Sequence, residues 1–348
     1  PSGESPAVVK LANEEQSQVK RATRAAYGAT LAELANEGLP VVAVDADLTG
    51  STTTKKLADA GFADRLFNCG IAEQNMVDVA AGLAATGHIA YTGSFAVFGT
   101  GRAYDQIRNT VCYSNLDVKI APTHAGISVG PDGGSHQMLE DVSLMRGLPN
   151  MRVLVPADYA AARAAIRLAA ETPGPVYVRM GRASVPAVYA DGVELELGRA
   201  YVLREGSDAT IVACGVEVEQ ALKAAQMLAA EGVEVEVIDA FSVKPLDAGH
   251  RSRVGGEDGA RRGRRGAQRV RRPRVGRGRD ARALESGSGR VRGHARPVRQ
   301  IGRIRGAARL LRPGFQGDCR SCEEGHGPIV LLLESTRLST LLFERSTL

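Results

Sequence analysis

The sequence predicts an α/β fold with a doubly wound, mostly parallel sheet, followed by a truncated second α/β domain. Three observations carry this reading. Short runs of Val, Ile and Ala alternate with Ala- and Leu-rich segments at helical spacing between Val19 and Ile238, as in a parallel sheet covered by helices on both faces. The joining segments concentrate Gly, Asp, Thr and His at strand ends, and the pattern collapses at about Gly249. At 348 residues the chain is long enough for two domains, and with 4% aromatics and no Trp the core rests on Ala, Val, Leu and Ile. No run approaches the roughly 20 apolar residues of a membrane helix and the first residues lack a signal-peptide stretch, so a soluble cytoplasmic protein is expected. The five cysteines are irregularly spaced and do not suggest a disulfide framework.

In chain order, residues 1–17 are polar and aperiodic and read as a loose leader; residues 18–185 form the first domain. Ala and Leu recur at helical spacing from Val19 to Glu37, and Gly38-Leu-Pro40 stops that helix before a strand at Val41–Val44. Asp45 to Thr54 follows at the strand's carboxyl end, where open parallel sheets place ligand-binding loops. Phe67-Asn-Cys-Gly70 reads as a strand and turn into a helix that carries Glu73 in its first turn. A strand over His88–Gly93, a helix over Phe95–Tyr113 and a strand over Asp117–Ala121 lead into a Gly-rich loop, Thr123 to Gln137. Met138–Arg146 and Tyr159–Glu171 are expected as helices, with strands at Val153–Val155 and Val176–Arg179. Residues 186–198 read as a linker, and 199–248 begin the second domain with a strand at Ala209–Cys214, a helix at Val216–Ala230 and a strand at Val233–Ile238. Ser242 to Asp247 should lead into more sheet.

Several side chains stand out as candidates. Glu73 offsets the helix dipole on the plain reading, but its apolar and small neighbours also suit a carboxylate that holds or shares a proton. His124, Asp132 and His136 in one Gly-rich loop can exchange protons or bind hydroxyls, and their spacing is not that of a compact metal site. Phe95 and Phe98, three apart at a helix start, suit either core packing or stacking on a flat heterocycle. Arg179 and Arg182 flank Met180-Gly181 after a strand, where a guanidinium is either solvated or grips a phosphate.

In their order along the chain, Asp47-Leu-Thr-Gly-Ser51, Gly70-Ile-Ala-Glu73-Gln-Asn-Met76, Ser94-Phe95-Ala-Val-Phe98, Ala103 to Arg108, His124 to Gln137 and Lys244-Pro-Leu-Asp247 resemble the motifs of transketolases. The resemblance runs from about Ala22 to Asp247 and covers the pyrimidine-binding domain and the start of the C-terminal domain, as in the C-terminal subunit of a split transketolase. It implies transfer of a two-carbon ketol unit between ketose and aldose phosphates with thiamine diphosphate. It also implies an N-terminal partner subunit that holds the diphosphate and Mg²⁺, in a hetero-oligomer built on a dimer, with no activity from this chain alone. Glu73 matches the glutamate bonded to N1′ of the aminopyrimidine; Phe95 and Phe98 match its aromatic pocket, with Tyr104 a further lining residue. His124, Asp132 and His136 match sugar-binding and proton-relaying residues. Arg179 matches the phosphate anchor, with Arg182 the alternative, while Asp47 and Ser51 match a cofactor-proximal acid and a phosphate contact. Deoxyxylulose-phosphate synthases and the β subunits of 2-oxoacid dehydrogenases share the glutamate and the fold; Thr123-His124 favours transketolase.

The formal net charge of +5 hides two unlike pieces. Residues 251–320 hold 22 Arg, no Lys and five acidic residues, a local +17 that leaves −12 on the rest. An Arg-rich tail invites a nucleic-acid reading, but Lys is absent and no aromatic residue lies between Phe241 and Phe315 to stack on bases. A change of reading frame near Gly249 explains it better, since GC-rich codons read out of frame spell Arg and Gly. Shifting Gly259–Asp280 and Gly293–Glu324 by one base with GC-favouring codons yields segments resembling the absent part of a transketolase C-terminal domain. On this reading residues 249–348 were not selected to fold and are expected to be disordered or poorly packed, and Cys319 and Cys322 are an accidental pair.

Overall fold

The computed structural model describes residues 9–247 and the backbone of 329–333. The expected leader is folded over its described part. Leu11 bridges Tyr189, and helix α1 (Glu14–Gln18) starts in a capping box, with Gln16 N donating to Asn13 Oδ1 at 2.8 Å and Asn13 N to Gln16 Oε1 at 3.0 Å. A polar, aperiodic stretch concealed a cap. Strand β1 (Lys20–Ala22) then takes the first turn of the expected helix, leaving α2 as Ala25–Asn36.

Strand β2 (Val41–Asp45) is followed by the short helices α3 (Thr49–Thr52) and α4 (Lys55–Asp59), then β3 (Leu66–Asn68), α5 (Glu73–Ala85) and β4 (Ile89–Gly93). The expected helix after β4 is a composite of π turns at Val97–Arg102 and Ile107–Tyr113 around α6 (Tyr104–Gln106). Strand β5 (Val118–Ile120), α7 (Asp141–Gly147), β6 (Arg152–Leu154), α8 (Tyr159–Glu171), β7 (Val176–Val178) and β8 (Ser184–Pro186) complete the first unit. The second contributes β9 (Tyr201–Arg204), β10 (Ala209–Ala213), α9 (Glu217–Ala229), β11 (Val235–Asp239), β12 (Ser242–Lys244) and β13 (Ile329–Leu333).

The main sheet has seven strands in the order β12-β6-β7-β5-β4-β2-β3, parallel except for β12. Helices bury their apolar stripes on both faces. Tyr27, Leu31 and Leu34 of α2 pack with Ile166 of α8 on one side, and Met76, Val77 and Ala80 of α5 with Ile107 and Val111 on the other; each large side chain contributes about 1.5–3 kcal/mol. Ala161, Ala165 and Ala169 keep α8 close to α2. A second sheet, β13-β10-β11-β9, is parallel except for β9. Ser242–Lys244 does continue into sheet, but it returns to the first sheet's edge beside β6 instead of extending the second. Val188, Tyr189 and Leu195 of the expected linker are buried in a core that reaches Tyr201, Val237 and Phe241.

Of the segment expected to be disordered or poorly packed, Ile329–Leu333 is instead a strand parallel to β10, as its run of Ile, Val and Leu allows. The rest of 249–348, and with it Cys319 and Cys322, lies outside the described residues.

Candidate functional site

The carboxyl ends of β2, β3, β4, β5 and β7 gather the candidate residues. Asp45, buried at the end of β2, accepts bonds from Leu48 N (2.6 Å), Thr52 Oγ1 (2.8 Å) and Thr54 Oγ1 (2.9 Å), which fixes the loop that carries Asp47 and Ser51. Burial raises the pKa of this carboxyl, and the three donors oppose that shift. Asp47 is exposed at φ 63°, and Asn68 ties it to the next turn by accepting from Asp47 N (3.1 Å) and Gly70 N (3.0 Å).

That turn delivers Glu73 as the first residue of α5. Its carboxylate is 2% exposed and its Oε2 lies 2.8 Å from Nη1 of Arg102, which is 48% exposed. Phe95 and Phe98 follow β4 as a near-parallel pair, with ring centroids 6.2 Å apart. His124 stacks on Phe95 at 3.7 Å, and His136 meets the Phe98 ring edge-on at 5.3 Å. Tyr104, half-buried in α6, makes no ring contact with Phe95 or Phe98 among the described contacts. It packs against the core cluster that includes Met76 and Val77.

His124 adopts a left-handed backbone (φ 62°), its Nδ1 lies 2.8 Å from Thr123 Oγ1, and it is 2% exposed. Burial, reinforced by the charge of Arg24, lowers its pKa to about 4. It is therefore a neutral imidazole near pH 7, suited to hydrogen bonding more than to proton release. Asp132 lies 3.6 Å from Arg182 Nε, and Arg182 also donates to Val129 O at 2.6 Å.

The two arginines expected as phosphate anchors, Arg179 and its alternative Arg182, sit in different surroundings. Arg179 is 7% exposed and locked to Asp141, with Nε to Oδ2 at 2.6 Å and Nη2 to Oδ1 at 3.3 Å. Burial disfavours its charge, but the Asp141 carboxylate more than reverses this and leaves the pKa raised. Moving its guanidinium away from Asp141 would leave a buried carboxylate without its countercharge, at a cost of several kcal/mol. Arg182 is the cation on the loop side. Within electrostatic reach of it is Arg24, which the sequence reading missed; it donates to Ser51 O at 2.6 Å, and burial together with the charge of Arg182 lowers its pKa, while Asp132 opposes that shift. Two guanidiniums that disfavour each other's charge, one of them bonded to Ser51, are chemically suited to a dianion. Arg102 was missed as well, although its spacing of four from Phe98 puts both on one helical face.

A buried carboxylate beside stacked aromatic rings suits a flat nitrogen heterocycle that donates a hydrogen bond. The Arg102 guanidinium, planar and donating, stands in for such a group, with Cζ 4.8 Å from the Phe98 centroid.

Comparison with known proteins shows the family. Residues 19–187 match the transketolase pyrimidine binding domain and residues 198–255 the transketolase C-terminal domain. A putative transketolase C-terminal section from Methanocaldococcus jannaschii is 47% identical over 66% of this chain and 73% of its own length. A 6-deoxy-6-sulfo-D-fructose transketolase subunit from Clostridium sp. (strain MSTE9) is 41% identical over 64% of this chain and 69% of its own. Human transketolase is 36% identical, and the match spans 66% of this chain and 37% of that protein. A solved structure described as a split gene transketolase, inactive beta4 tetramer, has 53% identity and a TM-score of 0.60 over 65% of this chain and 73% of that one. The chain belongs to the transketolase family, in the part that carries the pyrimidine-binding and C-terminal domains.

Proposed function

We propose that this chain is the pyrimidine-binding subunit of a two-subunit transketolase that moves a two-carbon ketol unit from a ketose phosphate to an aldose phosphate. The carrying observation is Glu73, buried at the start of α5 and facing the Phe95–Phe98 pair across Arg102. Thiamine diphosphate, when bound, supplies the nucleophilic carbon that carries the transferred unit. Glu73 would hold a proton at N1′ of its aminopyrimidine, and Phe98 would present a stacking face. Neutral His124, with Nδ1 engaged by Thr123, would turn Nε2 toward a sugar oxygen. His136 and Asp132 would bind hydroxyls, and Arg24 and Arg182 with Ser51 would hold the sugar's phosphate. The diphosphate and Mg²⁺ fall to an N-terminal partner subunit, so activity requires that subunit. The match of this chain to separately encoded transketolase sections supports that division.

The experiment is reconstitution: the chain is mixed with an N-terminal transketolase subunit, thiamine diphosphate and Mg²⁺, and ketol transfer between sugar phosphates is followed. Turnover only in the mixture is expected; turnover by the chain alone, or none in an assembled complex, overturns the proposal. The match to the C-terminal family domain stops at residue 255, which supports the change of frame near Gly249. Sequencing the coding DNA there tests it, and an intact frame in independent isolates refutes it.

A further inference from the structure

Arg102 closes the π turn Val97–Arg102, one turn after Phe98, so its guanidinium lies over that ring at 4.8 Å while Nη1 reaches Glu73 Oε2 at 2.8 Å. Glu73 is 2% exposed and Arg102 is 48% exposed, so the arginine is the solvent-side cover of an otherwise buried carboxylate. Any ring that is to stack on Phe98 and hydrogen-bond Glu73 from solvent needs the place the guanidinium fills. A carboxylate buried without a partner is costly, which explains why the chain supplies a cation there.

We infer that Arg102 is a built-in placeholder, occupying the aminopyrimidine position of the cofactor site in the free chain and swinging out when the ring enters. This deepens the proposed function and rests on it. The exchange takes up one proton: the Arg102 N–H leaves Oε2, and because the ring nitrogen of a neutral aminopyrimidine carries no hydrogen, Glu73 binds a proton from solvent and shares it with that nitrogen. Arg102 can leave at little cost, since its side chain is half in water and its partners among the described contacts are Glu73 and Phe98. It therefore weakens binding of the ring in the unassembled subunit, so that the free chain discriminates against loose cofactor fragments until further contacts tip the exchange.

The probe is 4-amino-5-hydroxymethyl-2-methylpyrimidine, a neutral ring without diphosphate, titrated into the full chain by ligand-observed NMR. Arg102→Met removes the competing donor and is expected to bind the probe roughly 2–5-fold more tightly than wild type, the scale of one partly exposed ion pair. Adding Glu73→Gln to Arg102→Met should erase the gain. Arg102→Lys keeps the charge and should bind nearer to wild type. Salt offers a readout in the unaltered protein: raising NaCl from about 0.05 to about 0.5 M screens the pair and should tighten binding of the neutral probe to wild type but not to Arg102→Met. Equal or weaker binding by Arg102→Met, with wild type still binding the probe, overturns the placeholder and leaves the cofactor reading standing. No binding to either protein overturns both.

Discussion

At the scale of single residues, two arginines three positions apart have opposite fates. Arg179 ends a buried strand and pairs with Asp141, whereas Arg182 lies past the glycine at 181 and faces Asp132. Arg179→Ala should therefore destabilise the fold by about 3–5 kcal/mol, as seen when one partner of a buried pair is removed. Arg182→Ala should leave thermal stability nearly unchanged while raising KM for sugar phosphates in the reconstituted enzyme. Melting curves and steady-state kinetics of the two variants separate these effects, and the reverse pattern would restore Arg179 as the anchor. Sequence alone could not decide between them, because both follow the same strand and only the position of Asp141 breaks the tie. Arg24 was illegible for a similar reason: its partner Ser51 is distant in sequence and the interaction goes to a backbone carbonyl. His124 was legible as a site residue, but its burial was not. An NMR titration should place its midpoint near pH 4, well below the usual imidazole range, and a midpoint above pH 6 would contradict the neutral role.

At the scale of elements, the strand and helix alternation was readable because apolar periodicity is local. The π turns were not, since they bury the same residue types as an α-helix and differ only in hydrogen-bond register. The loop after β2 was placed correctly at a strand's carboxyl end, but its anchor, Asp45, acts through tertiary packing. Gly93 in the adjacent strand β4 leaves room for that carboxylate: a Cβ there would lie 2.4 Å from Asp45 Oδ2 and 3.0 Å from Thr54 Cγ2. Gly93→Ala should push Asp45 off Thr52 and Thr54, loosen residues 47–54 and weaken phosphate-dependent substrate binding. Hydrogen exchange across that loop is the direct check, and unchanged protection would mean that the loop does not depend on Asp45.

At the scale of the whole molecule, the two units share a seam that sequence patterning could not reveal, because strand β12 crosses back to the first sheet and the linker is buried. Asp239 sits in that seam, fully buried, accepting from Tyr189 Oη at 2.7 Å, with burial pushing its pKa up to about 7. A carboxyl whose folded pKa exceeds its unfolded value of about 3.9 favours the fold at low pH, and that contribution is lost as pH rises toward 7. Asp239→Asn should flatten this part of the stability profile between about pH 4 and 7, by on the order of 2–4 kcal/mol; melting curves that stay parallel to wild type would contradict it. The seam matters for function because it fixes the second unit against the sheet whose carboxyl ends carry the site. Glu73 remains the centre of that site, and the most direct measurement is the ketol-transfer rate of the complex reconstituted with Glu73→Gln. Loss of nearly all turnover with assembly intact is the expected result, and a rate like that of wild type would contradict the assignment of Glu73 to the cofactor.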